Sequence, residues 1–250
     1  MTYCCGVLVK DGLVMIADTR TNAGVDNIST FRKLHVFSKP GEYVICLMTA
    51  GSLSVTQTAI SLMQEGLHNP ETGQTETLDA QTSMFRAAQF VGHALHKATN
   101  DVRQMLADVN VEYGATVLLG GQIGDQPMRL YMIYGVGNFI ECGPDVPFMQ
   151  IGEPKYGKPI LDRTMTFDTP LQDVLKLGLI SFEMTIRSNL AVGAPLDVLI
   201  LPRDGLAPEL EQRIDAGDPY WRGLSEQWSA ALRIAAENIP APPYGLDAPD

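Results

Sequence analysis

Thr2 is the residue of this chain best suited to chemistry. Once Met1 is removed it carries a hydroxyl and a free α-amine, so one residue brings nucleophile and base together. A threonine hydroxyl alone is a poor nucleophile. An α-amine titrates at about 7.7–8.0 in an unperturbed chain, so an appreciable fraction is free base near neutral pH and can take the hydroxyl proton through a water. The expected chemistry is one-residue nucleophilic catalysis. Many chains begin Met-Thr by chance, so the weight of this reading rests on what the remaining residues build around it.

Composition narrows the class. The 250 residues suffice for one large core, and no stretch rich in Gly, Ser or Pro divides them before the C-terminal end. One domain over 1–205 is expected, with a helical extension and Pro-rich tail over 206–250. A formal charge of -11 argues against nucleic acid or an anionic membrane as partner, because both require a basic patch. No apolar run approaches the ~20 residues of a membrane helix and no signal-peptide pattern opens the chain, so a cytoplasmic protein is expected. Cys4, Cys5, Cys46 and Cys142 lie in apolar, strand-like surroundings without metal spacing, which favours reduced, buried thiols over disulfides or ligands. His93 and His96 share a helix three residues apart, but no third ligand or HExxH frame accompanies them. No metal and no cofactor is called for.

The elements that must position Thr2 follow from periodicity. Residues 3–9 and 13–18 read as strands joined by Lys10-Asp11-Gly12, whose Asp-Gly pair suits a tight hairpin. After a polar loop at 19–30, residues 31–37 and 43–49 form a second pair around Lys39-Pro40-Gly41-Glu42. The run Tyr43-Val44-Ile45-Cys46-Leu47-Met48 does not alternate apolar with polar, so both faces of its sheet must be covered. Helical spacing over 52–68 and 80–108, the latter through Phe85, Ala88, Val91, Leu95 and Ala98, supplies one cover across a polar loop at 70–79. Strands at 115–120 and 129–135, a short strand near Phe139 and more helix come next. A helix from 169 to about 190 is marked by Thr169 as cap, Pro170 in the first turn and Gln172 completing a capping box. Residues 196–201 form a last buried strand. This order is best satisfied by an α+β fold, a four-layer α/β/β/α sandwich. Between 219 and 237, Trp221, Leu224, Trp228, Leu232 and Ala235 form one apolar stripe, which either packs back on its own subunit or meets another copy.

A four-layer sandwich opening on Thr is the layout of N-terminal nucleophile hydrolases, and the chain resembles proteasome β-type subunits over residues 2 to about 205. The resemblance is carried by Thr2, by Ala17-Asp18-Thr19-Arg20, by Lys33 and by Ala50-Gly51-Ser52. Within that family, Thr2-Tyr3-Cys4, the run from Asn22 to Lys33 and the run from Ile151 to Ile160 are most similar to the Anbu branch, the bacterial ancestral β-subunits. The resemblance implies Thr2, Asp18 and Lys33 as catalytic residues. Lys33 on the third strand would favour the alkoxide, Asp18 would hold the lysine, and the N–H of Gly51 would face the oxyanion. It maps the substrate pocket to Thr21, Phe31, Thr49 and Leu53; His35, two residues from Lys33 on the same strand face, is expected to border that pocket. Two departures stand out. Where the family carries a Ser that binds the N-terminal amine, this chain has Gly152-Glu153-Pro154, and where it carries an Asp ahead of Ser-Gly, this chain has Ser188. Glu153 and Ser188 are therefore the candidates for orienting the amine, with a plain surface position for Glu153 as the equal alternative.

The leading expectation is a threonine peptidase of proteasome type with restricted peptide or protein substrates, forming a homo-oligomeric ring or spiral. A scaffold that has lost turnover and an amidase acting on a small molecule or modified peptide are the alternatives. Nothing in the sequence names an unfoldase partner.

Overall fold

A computed structural model describes residues 1–22, 28–69, 73–105, 113–242 and 244. The expected motif residues 23–27, part of the 70–79 loop, the end of the second helix at 106–108 and most of the Pro-rich tail lie outside the described residues. Two compact units emerge, Met1–Asp215 and Ala216–Asp250.

In the first unit the chain runs β1 (Tyr3–Val9), β2 (Gly12–Asp18), β3 (Arg20–Asn22), β4 (Ile28–Thr30), β5 (Leu34–Lys39), β6 (Tyr43–Gly51) and α1 (Leu53–Glu65). Two short strands, β7 (Leu67–His68) and β8 (Thr75–Glu76), precede α2 (Met84–Met105). Then follow β9 (Ala115–Ile123), β10 (Arg129–Tyr134), β11 (Phe139–Glu141), β12 (Phe148–Gly152), α3 (Lys158–Thr164), α4 (Leu171–Ser188), β13 (Leu196–Pro202) and β14 (Leu210–Ile214). One antiparallel sheet has the order β12-β1-β2-β13-β14 and the other β11-β10-β9-β6-β5.

The continuous apolar run of β6 is explained by its two neighbours. Ile45 and Leu47 join Val117, Leu119, Tyr131 and Ile133 in a core shared with Val55, Ala59, Ala88, Val91 and Leu95 of α1 and α2. The intervening Val44, Cys46, Met48 and Ala50 face the opposite way, into a core with Cys4, Leu13, Met15, Ala17 and Leu199 of the other sheet. Period-two alternation thus splits one strand between two cores. On the far side of the first sheet, α4 packs Gly178 against Ile16, and its Phe182 ring lies 4.4 Å from that of Tyr3. The expected four layers are all present. Burial of each large side chain in these cores stabilises the fold by about 1.5–3 kcal/mol before entropy is subtracted.

Several expectations are corrected. The strand expected at 31–37 begins at Leu34, so Lys33 precedes β5 instead of lying within it. Thr169 does not cap α4: its Oγ1 accepts from the Thr166 N–H, and Pro170 holds the N-cap position. The domain expected to close at Gly205 extends to Asp215, because β14 adds an edge strand against β13. In the second unit, α5 (Pro219–Glu237) spans the residues of the predicted stripe, and Asp218 Oδ1 caps it by accepting from the Trp221 N–H at 3.0 Å.

One backbone position ties the fold to its N-terminus. Gly152 ends β12 with φ of 87°, and a Cβ there would stand 1.9 Å from the carbonyl oxygen of Thr2. Both the positive φ and the lack of space demand glycine. Gly152→Ala is expected to destabilise the chain by about 3 kcal/mol or more, measured by denaturant unfolding. An unchanged midpoint would show that Thr2 is not packed against this turn.

Candidate active site

The residues singled out in the sequence gather at one end of the sandwich because the register of both sheets brings them there. Tyr3 opens β1 opposite Gly152, Asp18 ends β2 opposite Leu196, and Gly51 ends β6 opposite Ala115. Lys33 enters the same region from the other sheet, its carbonyl accepting from the Thr49 N–H at 3.1 Å.

Asp18 is the centre of the arrangement. Its Oδ1 accepts from Lys33 Nζ at 2.7 Å and from the Tyr3 N–H at 3.0 Å, and its Oδ2 accepts from the Gly193 N–H at 3.4 Å. One oxygen therefore holds both the lysine ammonium and the backbone of the residue after Thr2. The Asp18 side chain is fully buried and that of Lys33 is 6% exposed. Burial pushes the Asp18 carboxyl above its ordinary value, and the Lys33 charge together with the two backbone N–H groups opposes that shift. Lys33 Nζ also donates to the Arg20 carbonyl at 2.6 Å. Two of the three ammonium donors are thus engaged among the described residues.

Around this pair the chain is fastened to the segment after α4. Thr19 Oγ1 donates to the Pro195 carbonyl at 2.7 Å, and an Arg20 guanidinium N–H donates to the Leu190 carbonyl at 2.9 Å. The guanidinium lies flat over Gly193, where a Cβ would fall 2.3 Å from Cζ. Glycine at 193 is what lets Arg20 reach Leu190 while the Gly193 N–H reaches Asp18.

Thr2 is half-buried, and its carbonyl accepts from the Glu153 N–H at 2.8 Å. Gly51, with φ of 109°, is exposed directly ahead of α1. Of the expected pocket residues, Thr21 lies on β3 and is half-buried, Phe31 is exposed with its N–H donated to the Thr19 carbonyl, Thr49 is buried, and Leu53 opens α1 half-buried. His35 lies in the field of Arg32 and Asp197; burial first and then Arg32 lower its pKa. Ser188 and Glu153 part company. Ser188 is the exposed last residue of α4, whereas Glu153 is buried beside Thr2.

Asn189 is a residue of this site that the sequence did not mark. Its Nδ2 donates to Glu153 Oε2 at 3.3 Å and lies 3.4 Å from the sulfur of Met1. Separation of 188 positions left no local signal for that contact. The neighbouring thiols offer no competing nucleophile. Burial pushes Cys4 far above the usual thiol range and Cys5 up to about 12, so both stay protonated at neutral pH. Among the described residues no group of three or more His, Cys, Asp and Glu could hold a metal ion, and no helix is long and apolar enough to cross a membrane.

No family model matches the chain, and no curated protein does. Solved structures do. The chain is 45% identical to an Anbu (Gly-1) mutant from Hyphomicrobium sp. strain MC1, with 96% of this chain and 99% of that one covered at a TM-score of 0.86. It is 41% identical to Anbu (ancestral β-subunit) from Yersinia bercovieri, covering 98% of this chain and 100% of that one at a TM-score of 0.88. A third likeness is to the helical assembly of the Anbu complex from Pseudomonas aeruginosa, 44% identical over 96% of this chain and 98% of that one, again at 0.88. Identity at this level over nearly the whole length, with the same layers, fixes the family: the chain belongs to Anbu, the bacterial ancestral β-subunits, and has the N-terminal nucleophile hydrolase fold of proteasome type.

Proposed function

We propose that this protein is a proteasome-type threonine hydrolase in which Thr2, freed of Met1, cleaves peptide bonds of a restricted set of substrates. The single observation that carries the reading is the buried Asp18, whose Oδ1 binds both Lys33 Nζ and the N–H of the residue following Thr2. This pairing fixes an ammonium near the start of β1, with one donor unengaged among the described residues.

In the proposed mechanism the Thr2 α-amine takes the hydroxyl proton while Oγ1 bonds to the substrate carbonyl carbon. Lys33 stabilises the alkoxide as it forms, and the Gly51 N–H receives the carbonyl oxygen of the tetrahedral intermediate, aided by the polarity of α1 behind it. The amine then passes its proton to the leaving nitrogen as the carbon–nitrogen bond breaks. A water, deprotonated by the same amine, hydrolyses the acyl ester. Thr21, Phe31, Thr49 and Leu53 supply a pocket for a medium-sized, partly apolar side chain.

Replacing Thr2 by Ala is expected to abolish turnover with circular dichroism unchanged, since the hydroxyl has no substitute here. An uncleaved N-terminal tag should have the same effect, because it consumes the amine in a peptide bond. Full activity in either protein would move the nucleophile elsewhere.

Lys33→Ala should lower kcat/KM on the order of 10²-fold or more, and Asp18→Asn should also be damaging, because the amide cannot neutralise the lysine. Retention of wild-type kcat/KM by the folded Lys33→Ala protein would contradict the assignment.

The assembly reading rests on α5 and on the assembled Pseudomonas aeruginosa relative. Trp221 and Leu224 are already buried, so a homo-oligomer in which the later part of the stripe, Trp228, Leu232 and Ala235, meets another copy should lose mass by light scattering in Trp228→Glu and on deletion of 216–250. Unchanged mass in both, with the fold retained, would show that α5 does not hold the assembly. A turnover-free scaffold is the second reading, favoured by the exposed Ser188 where the family's acidic residue is expected.

A further inference from the structure

Glu153 presents a charge that the proposed mechanism does not use. The residue follows Gly152 at the end of β12, and its N–H donates to the Thr2 carbonyl at 2.8 Å, which fixes it beside the N-terminal residues. Only 5% of the residue is exposed. Oε2 accepts from Asn189 Nδ2 at 3.3 Å and stands 3.6 Å from Lys155 Nζ. Oε1 is buried and, among the described residues, has no hydrogen-bond partner. A buried acceptor left unmatched is costly, more so when it belongs to a carboxylate. Lys155 compensates little, since its side chain is 73% exposed and such pairs are weak.

The same Asn189 amide touches Met1, 3.4 Å from its sulfur. The space occupied by Met1 therefore adjoins the carboxylate. While Met1 is attached, residue 2 offers a neutral peptide N–H. Once Met1 is removed, residue 2 offers an ammonium with three donors and a full positive charge, and the side chain that shared Asn189 is gone. We propose that Glu153 is the counter-ion of the α-ammonium created at Thr2, that Asn189 is a positioning residue holding the carboxylate there, and that Met1 removal thereby stabilises the folded chain. This inference rests on Thr2 being the mature N-terminus, but not on Thr2 being a nucleophile.

Other charges bear on the amine. From β2, Asp18 favours its protonation. Lys33 ahead of β5, Lys155 after β12 and the Arg20 guanidinium over Gly193 all oppose it. Glu183 and Arg187 pair with each other on the last turns of α4. Against three cations, Glu153 is, among the described residues, the carboxylate with an unmatched buried oxygen at this end of β1. Pairing keeps the amine protonated to higher pH than it would be without Glu153, which shifts the pH at which it can serve as a base.

The test compares chains released from a cleavable fusion to begin at either Met1 or Thr2. Two quantities are read: the melting temperature across pH 6–10, and the α-amine pKa from the chemical shift of its ¹³C-dimethylated form. The Thr2 chain should melt higher than the Met1 chain at pH 6–7. That advantage should fade as pH rises through the amine's folded-state pKa, because the charge that forms the pair is then lost. Glu153→Gln should erase the advantage and lower the amine pKa by about one unit or more. Asn189→Ala should lower it less, and Glu153→Asp should restore part of it. An amine pKa equal in wild type and Glu153→Gln, or equal melting of the two wild-type chains at pH 6–7, would overturn the proposal. Should Glu153→Gln fail to fold, an amine pKa unmoved by both Asn189→Ala and Glu153→Asp would overturn it equally. Turnover enters neither readout, so an inactive Thr2 and a wrong counter-ion give different results.

Discussion

The buried carboxylate of Asp18 is the interaction on which the rest of the site depends. Enclosing an aspartate and a lysine together is costly, because two ions leave water, and their mutual attraction offsets that cost only with good geometry and further hydrogen bonds. Here the geometry is a 2.7 Å contact, and the further bonds come from backbone: Tyr3 and Gly193 donate to the carboxylate, and the Arg20 carbonyl accepts from the ammonium. These are contributions from the start of β1, the end of β2, the start of β3, the approach to β5 and the segment after α4. Removing any one leaves a buried polar group unmatched, so the five segments are held to a single arrangement.

The layers exist to supply that enclosure. Strands such as β6, divided by alternation between a helix-side core and an inter-sheet core, can hold the two sheets in fixed register. Glycines allow the closest approaches. At Gly6 a Cβ would sit 3.1 Å from Leu130 of the facing sheet, and at Gly193 the missing side chain makes room for the Arg20 guanidinium. The segment after α4 joins the layers to the chemistry, since it touches Asp18 through Gly193, Arg20 through Leu190 and Glu153 through Asn189.

Much of this fold was legible because burial on both faces leaves long apolar runs. Strands β1, β2, β6 and β13 lie in the interior of their sheets, and their sequences read accordingly. β14 was not legible: Leu210-Glu211-Gln212-Arg213-Ile214 is an edge strand with three exposed polar residues in its middle, a pattern equally at home in a loop. β12, five residues following Pro147, gave too short a run to separate from its flanking turns. Thr169 misled because a threonine two residues before a helix can close its own turn with Thr166 instead of capping. In the site, Asp18 and Lys33 became a pair only through the resemblance, since an aspartate at a turn and a lysine at an edge are ordinary surface residues in isolation. Asn189 carried no signal at all. Its role arises from contacts with residues 1 and 153, which only the closed fold brings within reach.

Residue 2 is proposed to bear the reactive hydroxyl and amine, with Asp18 holding the backbone of the residue that follows. Intact-mass measurement of the purified protein before and after reaction with a peptide electrophile, followed by peptide mapping, tests this most directly. The expected result is a chain lacking Met1 that gains a single adduct, located on Thr2, with Cys4, Cys5, Cys46 and Cys142 unmodified. Retention of Met1, or an adduct located on any other residue, would contradict it.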